Sequence, residues 1–334
     1  MKNIYILFIL IGIISITYPT ITKASGELVI YSARNEQLIK PIFDEYTKNT
    51  GVNIKFTTDK AGPLLQKLMA EGKNSPADIL LTVDAGNLWH AANEGLLDNV
   101  NSEILNKNIP AHLRDSANRW FGLSVRSRTI MYNENNIKDE LSSYEDLASD
   151  KWKGKLCLRT SKKVYNQSLI AMMISEHGIE KTENIVKGWM SNLATPPFSN
   201  DTKMIEAVAA GQCDVGIANT YYYGRLIKKK PELPVKIFWA NQDSSGVHVN
   251  VSGAGIVKSS NNKEEAVKFI EWLSSTKAQN LFADINMEYP ANPNIKPSDI
   301  VSTWGDFKSN NINLSKAGEL QVEAVKLMDR AGYK

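Results

Sequence analysis

The chain has 334 residues, 43% apolar and 22% charged, with a formal net charge of +3 that falls to +1 once Lys2 and Lys23 are set aside with the leader described below. Without that leader, about 310 residues remain, enough for one large or two medium domains. The near-neutral balance excludes a nucleic-acid binder, which needs a concentrated basic surface, and no repeat or low-complexity segment points to a fibrous or disordered class.

Met1-Lys2-Asn3 is a short basic start, and Ile4 to Ile16 is nearly unbroken apolar sequence. Thr22-Lys23-Ala24 then offers a small-residue cleavage site before Ser25, which reads as a secretory signal over 1–24. The apolar run is short for a membrane span, and no cysteine stands at the cleavage point to take a lipid. The expected location is the periplasm.

Alternating elements follow. Leu28 to Tyr31 reads as a strand, Glu36 to Asn49 as an amphipathic helix stopped by Gly51, and Val52 to Phe56 as a second strand. Pro63 to Glu71 is helical, Asp78 to Val83 a buried strand, and Gly86 to Glu94 a helix ending at Gly95. This is the rhythm of a sheet flanked by helices. Trp120 to Val125 and Thr129 to Tyr132 bracket Arg126-Ser127-Arg128, where the chain is expected to cross between lobes. A second α/β unit starts at Lys155 to Leu158. Asn250 to Val257 returns as a strand, Lys263 to Ser274 is helical, and a last helix is expected over Leu314 to Ala331. The expected lobes are 25–126 with about 252–302, and 127–251 with about 303–334. Lobes joined by more than one strand suit closure on a ligand.

Cys157 lies in the strand-like Lys155 to Leu158, and Cys213 just precedes the apolar run Val215-Gly216-Ile217-Ala218. An oxidising compartment permits a disulfide between them, with two buried thiols as the alternative. The basic run Lys228-Lys229-Lys230 reads as a solvated helix end. His90, His112, His177 and His248 are scattered, with no metal-ligand spacing. The absence of a Gly-x-Ser-x-Gly elbow and of a His-Glu-x-x-His motif argues against an enzyme.

Chemistry concentrates at Tyr221-Tyr222-Tyr223, between that apolar run and a helix whose first turns read as Tyr223 to Ile227. Neighbouring side chains on a strand point to opposite faces, so adjacent tyrosines converge only where the backbone turns. The carboxyl end of a strand beside a helix start is a ligand position in α/β sheets. Phenols ionise near pH ~10 in water, and a hard, highly charged cation would lower that value and hold the oxygens. On this motif alone the tyrosines read more readily as packing aromatics with wet hydroxyls than as ligands.

In chain order, Val29-Ile30-Tyr31-Ser32-Ala33-Arg34, Ser75-Pro76-Ala77-Asp78, Thr82-Val83-Asp84-Ala85-Gly86 and Trp120 to Arg128 are followed by Tyr165-Asn166-Gln167-Ser168, Asn219 to Arg225 and Glu288 to Pro293. With these phrases the mature chain resembles the periplasmic ferric-ion-binding proteins of bacterial iron ABC transporters, and within them the tyrosine-rich branch that includes cyanobacterial iron-uptake proteins. The resemblance implies a two-lobed periplasmic binding protein fold of type II, α/β in class, with the ligand cleft at the hinge. It implies Fe(III) as ligand, held by Tyr165, Tyr221 and Tyr222, with Tyr223 beside the site and not ligating. It also implies an inner-membrane ABC permease as partner and a monomeric state.

Where the family often places a histidine and a tyrosine after the opening arginine, this chain has Asn35 and Glu36. A glutamate of the histidine-and-glutamate branch aligns with Val83. Three phenolates leave an octahedral ferric ion with open positions, and hard oxygen donors suit it. Arg34, Arg126 and Arg128 are candidates to hold a carbonate or similar anion there, because guanidinium forks match planar oxyanions; inter-lobe ion pairs are the alternative. Arg225, one turn on from Tyr222, is placed to hydrogen-bond a ligand phenolate. A same-fold binder of an organic or oxyanionic solute is the competing reading.

Overall fold

The computed structural model describes residues 26–137 and 141–334, so the signal read over 1–24 lies outside the described residues. Strands β1 (Glu27–Ser32), β2 (Asn53–Thr58) and β3 (Ile79–Val83) alternate with helices α1 (Glu36–Thr50), α2 (Ala61–Glu71) and α3 (Ala85–Asn93). Helix α1 buries Ile39, Ile42, Phe43 and Tyr46, the spacing of one helical face. It ends where Gly51 adopts φ 77° and returns its N–H to the Thr47 carbonyl. After the short α4 (Glu103–Asn108) comes β4 (Phe121–Asn133), then β5 (Leu156–Cys157), α5 (Val164–His177), α6 (Ile179–Ser191) and α7 (Asp201–Ala209). Strand β6 (Val215–Asn219) runs straight into α8 (Thr220–Lys229), followed by β7 (Val235–Phe238) and β8 (Val249–Ile256). The chain closes with α9 (Lys263–Leu273), α10 (Thr276–Asn286), β9 (Tyr289–Pro290), α11 (Asp299–Ser302), α12 (Lys316–Glu319) and α13 (Gln321–Arg330).

Two mixed sheets share one strand. In the first, β2, β1 and β3 run parallel, and β8 joins antiparallel to both β3 and the first half of β4. In the second, β4 pairs antiparallel with β6 and β7, and β5 runs parallel to β6. The switch falls between Ser127, opposite Val249 on β8, and Arg128, opposite Asn219 on β6. Helices cover both faces of both sheets, which is why β3, β6 and β8 are almost wholly buried. The strands approach closely at Gly253, where a Cβ would stand 2.3 Å from the Phe121 carbonyl oxygen.

Each sheet carries its own apolar core. Leu28, Ile30, Phe43, Ile79, Phe121, Phe269 and Phe282 pack in the first lobe. Ile130, Trp152, Leu169, Trp189, Ile217 and Leu327 pack in the second. Two lobes about a shared strand make the α/β, two-lobed architecture that the sequence implied.

Local details depart from the sequence reading. The crossing at Arg126-Ser127-Arg128 is no break; β4 is one 13-residue strand, because its polar side chains find partners inside the hinge. The helix expected over Leu314 to Ala331 is split into α12 and α13. The first piece is wedged between α3 and α5, where Gly318 lies so close to Trp89 that a Cβ would be 2.6 Å from its ring. That tertiary contact outweighs the helical pattern.

Cys157 and Cys213 form a disulfide with Cα atoms 5.9 Å apart, tying β5 to the entry of β6. It closes a sequence separation of 56 residues. Replacing either cysteine with serine should lower unfolding free energy by about 4 kcal/mol, the loop-entropy value for a ring of that size, read as the urea midpoint of oxidised protein and variant. Equal midpoints would refute a stabilising bond.

His248, at the mouth of β8, is completely buried with its Nδ1 3.2 Å from the Met172 sulfur. Burial, with Arg128 and Arg126 nearby, pushes its pKa down from 6.5 to about 3. The unfolded chain therefore binds a proton that the fold refuses, and stability present above pH ~6.5 is lost as pH falls toward about 3. His248→Phe should flatten the decline in melting temperature between pH 7 and pH 4. An unchanged decline would exclude this histidine as its source.

Candidate metal centre

All three predicted tyrosine ligands stand in the first turn of a helix. Tyr165 is the second residue of α5, and Tyr221 and Tyr222 are the second and third of α8. The sequence reading placed the start of α8 at Tyr223; the helix begins three residues earlier because Asn219 is both the last residue of β6 and the cap. Side chains of a helix lean toward its N-terminus, so successive tyrosines there fan over one small region. The rings of Tyr221 and Tyr222 lie 4.4 Å apart, inclined by 35°. The Tyr221 hydroxyl accepts from Asn219 Nδ2 at 3.3 Å. Tyr223 turns away, packing edge-on against Trp304 at 5.9 Å.

The three phenols line a cavity of about 920 Å³ between the lobes. Its first-lobe wall is built from Ala33 to Leu38, Thr58 to Gly62, Val83 and Asn87, and its second-lobe wall from Lys162 to Tyr165, Tyr221, Tyr222 and Arg225. Arg126, Ser252 and Glu288 complete it near the hinge. The starts of α1, α2, α5 and α8 therefore all face one space, and each carries partial positive charge. Arg34, Lys60, Arg126, Lys162, Lys163 and Arg225 outnumber Glu36, Asp59 and Glu288 along its walls. The cavity favours anions, ionised phenols included. Among the described residues no group of three His, Cys, Asp or Glu side chains is placed to hold a metal ion.

Burial pushes the Tyr221 hydroxyl pKa well above 10, reinforced by the neighbouring Tyr165 and Tyr222 oxygens and opposed by Arg126. Burial also raises Tyr165, against the pull of Arg126, whose guanidinium lies 5.3 Å from the ring. Lys163, 4.8 Å above the same ring, is lowered by burial and by Arg159. Burial thus favours the neutral forms of Tyr165 and Tyr221. A trivalent cation, added to these arginines and helix ends, supplies the charge that favours the ionised form.

The four arginines singled out from sequence fall into different settings. Arg34 lines the cavity, but its Nη2 donates to Glu288 Oε2 at 2.9 Å, and Ser124 bonds the same oxygen at 2.7 Å. Arg126 lies 3.6 Å from the fully buried Asp84, and its Nη2 has no hydrogen-bond partner, which leaves it the freest fork at the hinge. Asp84 is itself fixed at φ 77° by bonds from Gly86 N, Ser168 Oγ and Asn250 Nδ2, so it ties β3 to α5 across the lobes.

Arg128 does not reach the cavity. Its guanidinium is taken up inside the second lobe by Asp201, Asn166, Asn219 and the Ile217 carbonyl, so the anion-holding role expected of it gives way to a structural one. Arg225 lines the cavity and stacks on the Tyr221 ring at 4.9 Å, in place of the expected hydrogen bond to a phenol oxygen. Asn35 and Glu36 both face the cavity from the start of α1; the Asn35 side chain makes no capping bond.

Residues 74–304 match the bacterial extracellular solute-binding protein family. The chain belongs to that family. Iron uptake protein A1 of Synechocystis is 43% identical over 315 residues, covering 92% of this chain and 88% of its own. Among solved structures of this solute-binding family, the Trichodesmium protein FutA (IdiA) in complex with iron and citrate ligands is 45% identical. It superposes with a TM-score of 0.89 over 92% of this chain and all of the other. The ferric iron-binding protein A of Mannheimia haemolytica, in an open conformation, is 39% identical with a TM-score of 0.86 over 92% and 99% of the two chains.

Sequence reasoning missed Lys163, Arg159, Asp201 and Glu288. Lys163 stands two residues before Tyr165, and Arg159 follows the end of β5, a ligand-bearing position in such sheets. Those were signals that could have found them. Asp201 carried none, since its role comes from α7 packing behind β6.

Proposed function

We propose that this chain is an extracytoplasmic solute-binding protein that captures ferric iron through Tyr165, Tyr221 and Tyr222 and delivers it to the permease of an ABC importer. One observation carries the proposal: three phenol oxygens gather in the first turns of α5 and α8, on the wall of a single cationic cavity. Hard, anionic oxygen donors match a hard trivalent cation. The iron-binding relatives, at 43% and 45% identity, support the same reading.

A cavity of about 920 Å³ is many times larger than one ion, and its walls carry excess positive charge. Both features favour iron accompanied by a small oxyanion or a polycarboxylate, with Arg126 as the principal fork and Arg34, already engaged by Glu288, as support. The Trichodesmium structure holds iron with citrate, which fits this account. The second lobe, bearing all three tyrosines, takes the metal first; Asn35 and Glu36 then approach from the first lobe. The role is binding without turnover, outside the cytoplasm, by a monomer that docks on its permease.

Loading with ferric citrate should produce a visible ferric-phenolate band. Tyr165→Phe, Tyr221→Phe and Tyr222→Phe should each weaken it, because each loses a donor oxygen and keeps the ring. Tyr223→Phe should leave it in place. A colourless protein that still binds an organic acid would favour the oxyanion reading instead.

Proton release gives a second test. The neutral Tyr165 and Tyr221 phenols each give up a proton when they ligate, so at least two protons leave per ion. Apparent affinity should fall about tenfold per proton for each unit of pH lost, hence about a hundredfold per unit. Competition against a chelator of known protonation, between pH 7.5 and pH 5.5, measures the slope. A flat profile would rule out ligation by neutral-in-the-empty-state phenols.

A further inference from the structure

Behind the tyrosines lies a buried cluster that the proposed ligand set does not use. Arg128 and Arg159 share a single carboxylate, that of Asp201, which is completely buried. Arg128 donates to it at 3.1 Å and is further satisfied by Asn166, Asn219 and Ile217. Arg159 is held less tightly, 3.5 Å from Asp201, and its Nε is buried without a partner. Two guanidinium groups against one carboxylate leave the cluster with one positive charge in excess.

That excess faces the ligands. Arg159 Nη1 donates to the Tyr222 hydroxyl oxygen at 3.4 Å. The same guanidinium lies 5.7 Å from the Tyr165 ring centre and 6.0 Å from that of Tyr222. The backbone beneath it is pinned, because the Arg159 carbonyl accepts from Asn166 Nδ2 and from the Tyr333 hydroxyl. Arg159 is not among the residues that line the cavity.

We infer that Arg159 is a positioning residue for ferric-ion binding, which orients the Tyr222 oxygen and sets its donor strength through a charge-assisted hydrogen bond, with Asp201 fixing how much positive charge it presents. This rests on the proposed ferric-tyrosinate function. The physical argument is that a cation interacts more strongly with a metal-bound phenolate than with a neutral phenol, so Arg159 stabilises the loaded state. A hydrogen bond to the phenolate also lowers the energy of its donor electrons and raises the energy of the ligand-to-metal transition.

The test is the visible spectrum and iron release of the ferric-loaded full-length mature protein. Arg159→Gln should move the band to longer wavelength and speed release to a chelator by about tenfold or more, the scale of one hydrogen bond to a charged group. Arg159→Lys, which keeps the charge and loses the fork, should fall between variant and parent. Asp201→Asn frees Arg159 from its counter-charge and should move the band the opposite way, to shorter wavelength. A purely structural role would change the melting temperature of these variants without moving the band. A parent band that is unmoved in folded Arg159→Gln and Arg159→Lys overturns the role of Arg159 alone. A parent protein with no ferric-phenolate band overturns the ferric reading and this inference with it.

Discussion

The structure turns on one electrostatic conflict: phenol oxygens are buried where they resist ionisation, in a place where the proposed function requires them to ionise. Burial, reinforced by the neighbouring phenols, favours the neutral forms of Tyr221 and Tyr165. The chain answers by putting each tyrosine in the first turn of a helix and surrounding the group with Arg126, Arg159, Lys163 and Arg225. These charges are set so that they do not finish the task. A site that ionised its own phenols fully would bind lesser cations as well, whereas one left neutral waits for an ion of high charge. Under the proposed ligation, selectivity for a trivalent metal would follow from an incomplete compensation. It also makes release possible, since returning protons compete with the metal.

The remainder of the fold serves that arrangement by holding two walls at a fixed crossing. Strand β4 belongs to both sheets, and β8 leaves the first sheet where β4 enters the second. At the back of the cleft, α12 is wedged between α3 and α5, while Gln321 of α13 is hydrogen-bonded to both His90 of α3 and Gln167 of α5. Asp84 adds a bond to Ser168 from the first lobe to α5, the helix that carries Tyr165. At the front of the cleft, by contrast, the side chains Asn35, Glu36, Asp59 and Lys60 are solvated. A tied back and a polar front suit the proposed function, in which the lobes close on cargo without disturbing the tyrosines.

Much of this was legible in the amino-acid sequence, and the boundary of legibility is physical. Strands such as Ile79–Val83 and helices such as Glu36–Thr50 announce themselves because their burial pattern is local and periodic. The tyrosine pair stands out because adjacent identical ligands at a strand end are rare. Tyr165 did not, since a phenol in the first turn of a helix looks like any loop aromatic until α5 and α8 are brought together. Arg128 and Arg126 are spaced two apart on one strand and appear equivalent in sequence. The register change between them sends one into the second lobe toward Asp201 and leaves the other at the cavity. Pairings across the fold, Arg34 with Glu288 at a separation of 254 residues among them, have no local signal at all.

The substitution pattern on the first-lobe wall has a consequence for how the protein handles iron. Asn35 and Glu36 stand where relatives of the resembling family often carry a histidine and a tyrosine, and both side chains are exposed at the cleft. Under the proposed ligation, three phenolates on one lobe would capture the metal before the lobes meet and leave its remaining positions open to oxygen donors from solution. The cationic first-lobe helix ends then act on the accompanying anion more than on the metal, so closure is coupled to what the iron brings with it. A carboxylate at Glu36 can ligate only by displacing such an anion, while sharing the cavity with Glu288 and Asp59. Like charges in one space oppose that displacement, and the anion-bound arrangement is the one the wall of this cavity favours.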